Sequence, residues 1–137
     1  MKKSGKKLLL CLLAALLLTG AVFGIRYLKS LSDYRRAVAE ISFEGIDIAD
    51  VRDGTYTGEY NVGFVYACVK VTVCGGVLES VEILQHENGR GTPAESIIET
   101  MTELQSVYVD TVSGATNSSL VLEKAVENAL VQGLEVG

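Results

Sequence analysis

The chain has 137 residues, enough for one small domain and an additional segment but too few for several domains. Three cysteines and a single histidine provide neither a disulfide framework nor a cluster with metal-ligand spacing. All 17 acidic residues lie after Ser30, where only six basic residues stand against them, so this part carries a net charge of −11. Such an acidic surface repels DNA and RNA, and nucleic acid is therefore not expected as a partner.

The N-terminus joins a basic stretch to a long apolar run. Residues 1–7 contain four lysines, residues 8–25 contain no charge, and further basic residues follow, so charge bias does not fix the orientation. As a helix, the 18 residues of the apolar run would span about 27 Å, close to the thickness of a bilayer core. We predict a basic N-terminus over residues 1–7 and a retained transmembrane anchor over residues 8–25, which would contact membrane lipid. A cleaved signal peptide is the alternative, although its apolar region is usually shorter.

A stalk and then a folded domain are predicted after the anchor. Residues 26–49 place apolar side chains at helical spacing between charges, and they are predicted to form a juxtamembrane helix or stalk. The folded domain is predicted over residues 50–137. The Asp53-Gly54 pair is typical of a turn. A short strand is predicted to follow this turn near residues 55–60 and to open the domain.

The clearest alternation in the chain predicts the next strand. Apolar residues on one face alternate with polar residues on the other, the apolar positions being 65, 67, 69, 71 and 73. Cys68 and Cys74 fall on the polar face, about 20 Å apart in an extended strand, too far for a disulfide between them. Gly75-Gly76 then predicts a hairpin. The return strand is predicted to bury three apolar residues, Val77, Val81 and Ile83.

Two helices complete the predicted fold. Residues 86–92 form a polar, glycine-rich loop, in which His86 is predicted to be exposed. A threonine–proline pair at residues 92–93 starts a helix, and a short strand over residues 107–109 separates it from a last helix that ends near Gly133. The predicted fold class is α+β, a small antiparallel sheet with two packed helices, preceded by a single N-terminal transmembrane helix.

Residues 110–119 read Asp-Thr-Val-Ser-Gly-Ala-Thr-Asn-Ser-Ser and are the most informative stretch of the chain. They place a small, hydroxyl-rich turn directly before an apolar-periodic helix, where unpaired backbone N–H groups and a partial positive charge favour a phosphate. The hydroxyl of Thr116 would lie within reach of such a phosphate. Ordinary helix capping is the alternative, since serine and threonine oxygens commonly accept the first N–H bonds of a helix.

This stretch resembles the SGAT flavinylation motif of the FMN-binding domain family, which includes the flavoprotein subunits of sodium-pumping NADH:quinone reductases and Rnf complexes. The residues that carry the resemblance are Asp110, Ser113, Gly114, Ala115, Thr116 and Ser118. The similarity extends to the opening strand at residues 53–58, the hairpin at 69–83 and the helix at 125–130, so it covers residues 50–132 of the chain.

The resemblance implies FMN joined through its phosphate to Thr116 as a phosphoester. The other cofactor-binding residues that it implies are Ser113, Gly114, Ala115, Asn117, Ser118 and Asp110. Ser118 would add a bond from its hydroxyl. Asp110 would orient the turn, serve recognition by a modifying enzyme, or make a local Asx-type bond. A flavin transferase that uses FAD as donor is implied as the partner that installs the cofactor.

Further side chains are weaker candidates for contact with a flavin ring or its charge. They are Tyr56, Tyr60, Tyr66, Tyr108, Met101, His86 and Arg90. Strand tyrosines more often pack against neighbouring side chains, and Met101 fits the apolar stripe of its predicted helix. The sequence indicates no catalytic residue, since the single histidine, His86, lies far from Ser113 in the sequence and no base for a serine nucleophile is evident.

The favoured function is a membrane-anchored, extracytoplasmic flavoprotein that passes electrons between membrane or extracytoplasmic redox proteins, rather than a stand-alone enzyme. Only the family resemblance, and not the charge pattern, implies that the domain faces the extracytoplasmic side. One alternative is a module that binds FMN reversibly, as a sensory or binding domain without covalent flavin. A small flavin-dependent reductase ranks last, since the chain contains no second cofactor motif.

Overall fold

A computed structural model describes residues 2–87 and 92–134. Its first helix, α1, runs over Lys2–Ala39 without interruption, so the predicted anchor and the first part of the predicted stalk form one helix. By length and composition α1 could cross a membrane. A signal sequence near the N-terminus can have the same length and composition. The leucines of residues 8–18 are exposed, as a lipid-facing surface requires. The chain divides between Arg35 and Arg36 into two compact units.

The second unit, from Arg36 onward, contains a three-stranded antiparallel sheet in the order β1-β2-β3. Its strands are β1 (Gly54–Asn61), β2 (Tyr66–Cys74) and β3 (Val77–Glu87). The alternation predicted for β2 is confirmed, because every second side chain from Ala67 to Val73 is at most 1% exposed. Gly75 and Gly76 turn the chain into β3 with φ angles of +62° and +73°, a left-handed conformation that glycine adopts without steric penalty.

Two bulges in the pairing of β2 with β3 change which residues of β3 are buried. The sequence predicts a buried Val77, but Val77 is 50% exposed and Leu78 takes the buried place opposite Val73. Each bulge inserts one extra residue into β3 and so reverses the faces of the residues that follow. His86 comes to lie in the strand opposite Ala67, with its side chain 1% exposed. The prediction of an exposed loop histidine is therefore wrong.

Two helices follow the sheet, α2 (Ile97–Leu104) and α3 (Thr116–Val131), so the predicted α+β class is confirmed. A 3₁₀ turn over Thr92–Ser96 precedes α2, so the predicted helix begins with a tighter turn. The apolar face of α3 is fully buried against β1 and β2. The short strand predicted at residues 107–109 is not among the strands of the described residues; this segment pairs with no neighbour in the sheet.

The backbone of α3 lies very close to β1. Gly58 leaves no room for a side chain, because a Cβ there would overlap the backbone oxygen of Ala125 and the backbone nitrogen of Ala129. At the end of the helix, Gln132 Nε2 donates to the carbonyl oxygen of Thr57 at 2.6 Å. Gly58 therefore sets the separation of α3 from the sheet, and with it the place of the N-terminus of α3.

The packed part of the second unit begins before the boundary predicted near Asp50. Lys124 Nζ donates to the carbonyl oxygen of Ser42 at 2.8 Å. The backbone N–H of Glu44 donates to the carboxylate of Glu127 at 2.9 Å. Part of the predicted stalk is thus held against α3 by hydrogen bonds.

Candidate functional site

The predicted site lies in the turn that leads into α3. Gly114 has a φ of +81°, in the left-handed region, and a Cβ added there would meet open space. The backbone conformation, rather than a lack of room, therefore favours glycine. The N–H of Ala115 donates to the carbonyl oxygen of Val112 at 2.9 Å and closes the turn. α3 then begins at Thr116, where the sequence predicts it.

The N-cap position of α3 makes no side-chain cap bond. The residue there is Ala115, which has no side-chain hydrogen-bonding group. Thr116 is exposed, and within residues 2–87 and 92–134 neither its backbone N–H nor that of Ser118 donates to a group of the chain. The hydroxyl of Thr116 also accepts no backbone N–H within these residues, so Thr116 does not act as a helix cap. Open donors at the positive end of a 16-residue helix lie beside an exposed hydroxyl, and this donor set fits a phosphate bonded there.

The residues predicted from the motif come together at this end of α3, but they differ in exposure. The exposed ones are Asp110, Ser113, Gly114, Thr116 and Asn117. Ala115 is 6% exposed and Ser118 is 4% exposed. Of the three hydroxyl groups in residues 116–119, only that of Thr116 belongs to an exposed residue. The roles of the other residues toward a cofactor remain predictions.

A row of buried polar side chains on α3, not anticipated from the sequence, holds the segment before the turn. Ser119, Glu123 and Glu127 are at most 3% exposed and recur every four residues, so they share one face of the helix. Ser119 Oγ accepts the N–H of Val112 at 3.1 Å, and Glu123 Oε1 accepts the N–H of Val109 at 3.2 Å. This segment is therefore hydrogen-bonded to side chains of α3 and not, as the sequence predicts for residues 107–109, to a neighbouring strand. The only signal in the sequence is the spacing of four between these three polar residues of α3.

Glu127 joins three separate segments of the chain. Its carboxylate pairs with Lys124 Nζ at 2.7 Å and accepts bonds from the Tyr108 hydroxyl and the Glu44 N–H. Burial alone would raise the pKa of Glu127, but these donors outweigh burial and lower the pKa. Burial and the bond to Glu127 raise the pKa of Tyr108 to about 12. The ring of Tyr108 also lies edge-on to Phe43, with centroids 5.6 Å apart. The hydroxyl and the ring of Tyr108 therefore both contact other groups of the protein.

Glu123 differs from Glu127 because no cation pairs with it in the described part of the chain. Burial raises the pKa of Glu123 to about 7; the bond from the Val109 N–H opposes this rise, and the charge of Asp110 adds to it. The carboxyl therefore changes its charge near neutral pH.

We expect the stability of the protein to fall as the pH rises from 4.5 to about 7. In this window Glu123 is protonated in the folded chain and ionised in the unfolded chain, so folding binds a proton. The difference in pKa corresponds to at most about 3 kcal/mol. Glu123→Gln should remove this part of the pH dependence. Denaturant unfolding of the full chain in detergent at pH 5 and pH 8, followed by tyrosine circular dichroism, measures the difference, and equal pH dependence in both proteins would contradict it.

The remaining candidates lie elsewhere in the second unit. His86 Nδ1 is 3.0 Å from Glu95 Oε1, in the turn before α2. Met101 is fully buried in α2, which confirms its predicted place in the helix core. Arg90, the candidate for a charge opposite a reduced flavin, lies outside the described residues.

Residues 64–131 match the family model of the FMN-binding domain. The matched range begins just before β2 and ends with the last residue of α3, so it includes the turn before Thr116 and the row of buried polar residues behind it. No curated protein and no solved structure matches the chain.

Proposed function

Because the chain belongs to the FMN-binding domain family, we propose that it holds FMN through a covalent bond between the cofactor's phosphate and the hydroxyl of Thr116. We further propose that it acts as an electron carrier, with α1 as its membrane anchor. The observation that carries the proposal is the first turn of α3, where an exposed threonine hydroxyl lies beside backbone donors that no side chain caps.

The proposed attachment needs a flavin transferase as partner and FAD as donor. The oxygen of Thr116 attacks the phosphorus of the FMN half of FAD, and the bond from that phosphorus to the bridging oxygen breaks. AMP leaves with the bridging oxygen, the hydroxyl proton passes to a base of the transferase, and no electrons are exchanged. The exposure of Thr116 suits this reaction, because a second protein must reach the hydroxyl.

After attachment, the chain would hold the phosphodiester with its own backbone. The N–H groups of Thr116 and Ser118 lie at the positive end of α3, where they favour a negative charge. A covalent bond prevents loss of FMN by dissociation, whatever the binding affinity. The bound cofactor supplies the redox chemistry, and the protein sets its position.

A tethered flavin at an exposed turn can exchange electrons with successive partners by contact. The proposed partners are therefore membrane or extracytoplasmic redox proteins. The net charge of −11 after Ser30 would favour partners with a basic face, since complementary charge speeds encounter. The second candidate function is a module that binds FMN reversibly, because the same helix N-terminus could hold a phosphate without a covalent bond.

Production of the full chain with and without a flavin transferase tests the covalent bond. We expect flavin fluorescence to stay with the protein on a denaturing gel only when the transferase is present. Flavin that separates from the protein on denaturation would instead support reversible binding. A protein that takes up no flavin under either condition would contradict both functions.

The side of the membrane and the carrier role need separate measurements. In sealed vesicles of known orientation, protease added on the extracytoplasmic side should cleave the flavin-bearing domain, and protection from that protease would contradict an outward domain.

Membranes that contain a suitable electron donor should reduce the bound flavin. A flavin that stays oxidised there, yet is reduced by dithionite, would argue against the carrier role.

A further inference from the structure

We propose that Glu123 and Ser119 are positioning residues of the Thr116 site, which hold the preceding segment so that the threonine hydroxyl is presented to the flavin transferase. The inference rests on the proposed function, because it concerns the same threonine. Both side chains act through the backbone of residues 109–115 rather than through contact with FMN.

Ser119 fastens the turn directly to α3. Its hydroxyl accepts the N–H of Val112 at 3.1 Å and donates to the carbonyl oxygen of Ala115 at 2.9 Å. Since the Ala115 N–H donates to the Val112 carbonyl oxygen at 2.9 Å, the three residues form a closed ring of bonds around Ser113-Gly114. Thr116 follows at once, so the place of its hydroxyl depends on this ring.

Glu123 binds the backbone of the preceding segment, at Val109. The residue is 3% exposed, and its Oε1 accepts the N–H of Val109 at 3.2 Å. Residues 107–112 belong to no strand, so this segment has no sheet partner that could replace a lost acceptor. Removing the acceptor would release Val109 and with it the approach to the turn.

Packing alone does not explain a carboxyl at position 123. Glu123 is buried, feels the negative charge of Asp110, and has a pKa raised to about 7. An apolar side chain of the same length would avoid the penalty of burying this group. What an apolar side chain cannot supply is the acceptor oxygen. The acceptor, rather than the charge, is therefore the property that Glu123 contributes.

Two variants of the same length separate the acceptor from the charge. Glu123→Gln keeps the Oε1 acceptor, whereas Glu123→Met removes both acceptor and charge. On the full chain in detergent, with rates normalised to the folded fraction, we expect a purified transferase to attach FMN to the Gln variant within about twofold of the wild-type rate and to the Met variant at least about tenfold more slowly. In the chain without flavin, the amide of Val109 should exchange its hydrogen at least about tenfold faster in the Met variant than in the Gln variant.

A folded Met variant that is labelled at the wild-type rate would overturn the inference, as would a Gln variant as slow as the Met variant. Ser119→Ala is the second test if the Met variant does not fold. It should slow attachment and speed exchange at Val112, and unchanged rates would count against the inference. Glu103→Met, at an exposed position of α2, is the control and should change neither rate.

The two proposals fail in different ways. A wild-type chain that takes up no FMN in the presence of active transferase and FAD contradicts the covalent function. The exchange rates at Val109 and Val112 are measured without flavin, so they still decide whether Glu123 and Ser119 hold the segment.

Discussion

Replacement of Thr116 by alanine is expected to remove all covalent flavin from the protein. The threonine oxygen forms the one bond proposed between the chain and FMN, and alanine has no oxygen to take up the phosphoryl group. Thr116 is exposed, so the stability of the variant should stay within about 0.5 kcal/mol of the wild type. The measurement is the flavin absorbance that remains with the denatured protein after production together with a flavin transferase.

Two further variants make this result specific to the hydroxyl at position 116. Thr111→Ala removes another exposed threonine of the same segment and should keep the full amount of flavin. Thr116→Ser keeps a hydroxyl and should keep flavin, with slower attachment because serine is less restricted at χ1 than threonine. Covalent flavin on the Thr116→Ala protein would show that another side chain is the attachment point.

The substitution Gly58→Ala is expected to destabilise the fold by about 3 kcal/mol or more, as overpacking in a rigid core does. The new Cβ would overlap the backbone oxygen of Ala125 and the backbone nitrogen of Ala129. A buried helix backbone cannot move aside as a flexible side chain can. α3 would therefore have to shift away from β1, which opens the core between them. The denaturation midpoint of the full chain in detergent, followed by tyrosine circular dichroism, measures the loss.

Thr57→Val is the matched control for Gly58→Ala. It changes the neighbouring exposed residue of β1 while keeping a β-branched side chain, and the free energy of unfolding should change by less than about 0.5 kcal/mol. A Gly58→Ala protein with the wild-type midpoint would mean that α3 can move without penalty. That outcome would contradict the close packing on which the position of Thr116 depends.

The regular elements of this fold could be predicted because their signals are local. The alternation of β2 and the apolar face of α3 each repeat over neighbouring residues, and both are confirmed. The left-handed φ of Gly114 and the helix that begins at Thr116 likewise depend on residues close in the sequence. The turn at Gly114 and the start of α3 were therefore predictable, and the role of these residues toward a cofactor stays a prediction.

Features that depend on distant residues could not be predicted in the same way. The side chain of His86 is buried because two bulges, set by the pairing with β2, shift the faces of β3. Glu123 and Glu127 are tolerated inside the protein because residues 42–46 and 107–112 supply their hydrogen-bond donors. Nothing in the sequence around α3 indicates that these segments pack against it.

The most direct test of the central claim is peptide mass spectrometry of the full chain produced together with an active flavin transferase. After proteolysis, we predict that the peptide containing residues 110–119 gains the mass of FMN less one water, with fragment ions that place the gain on Thr116. The same peptide recovered only at its unmodified mass would contradict the claim.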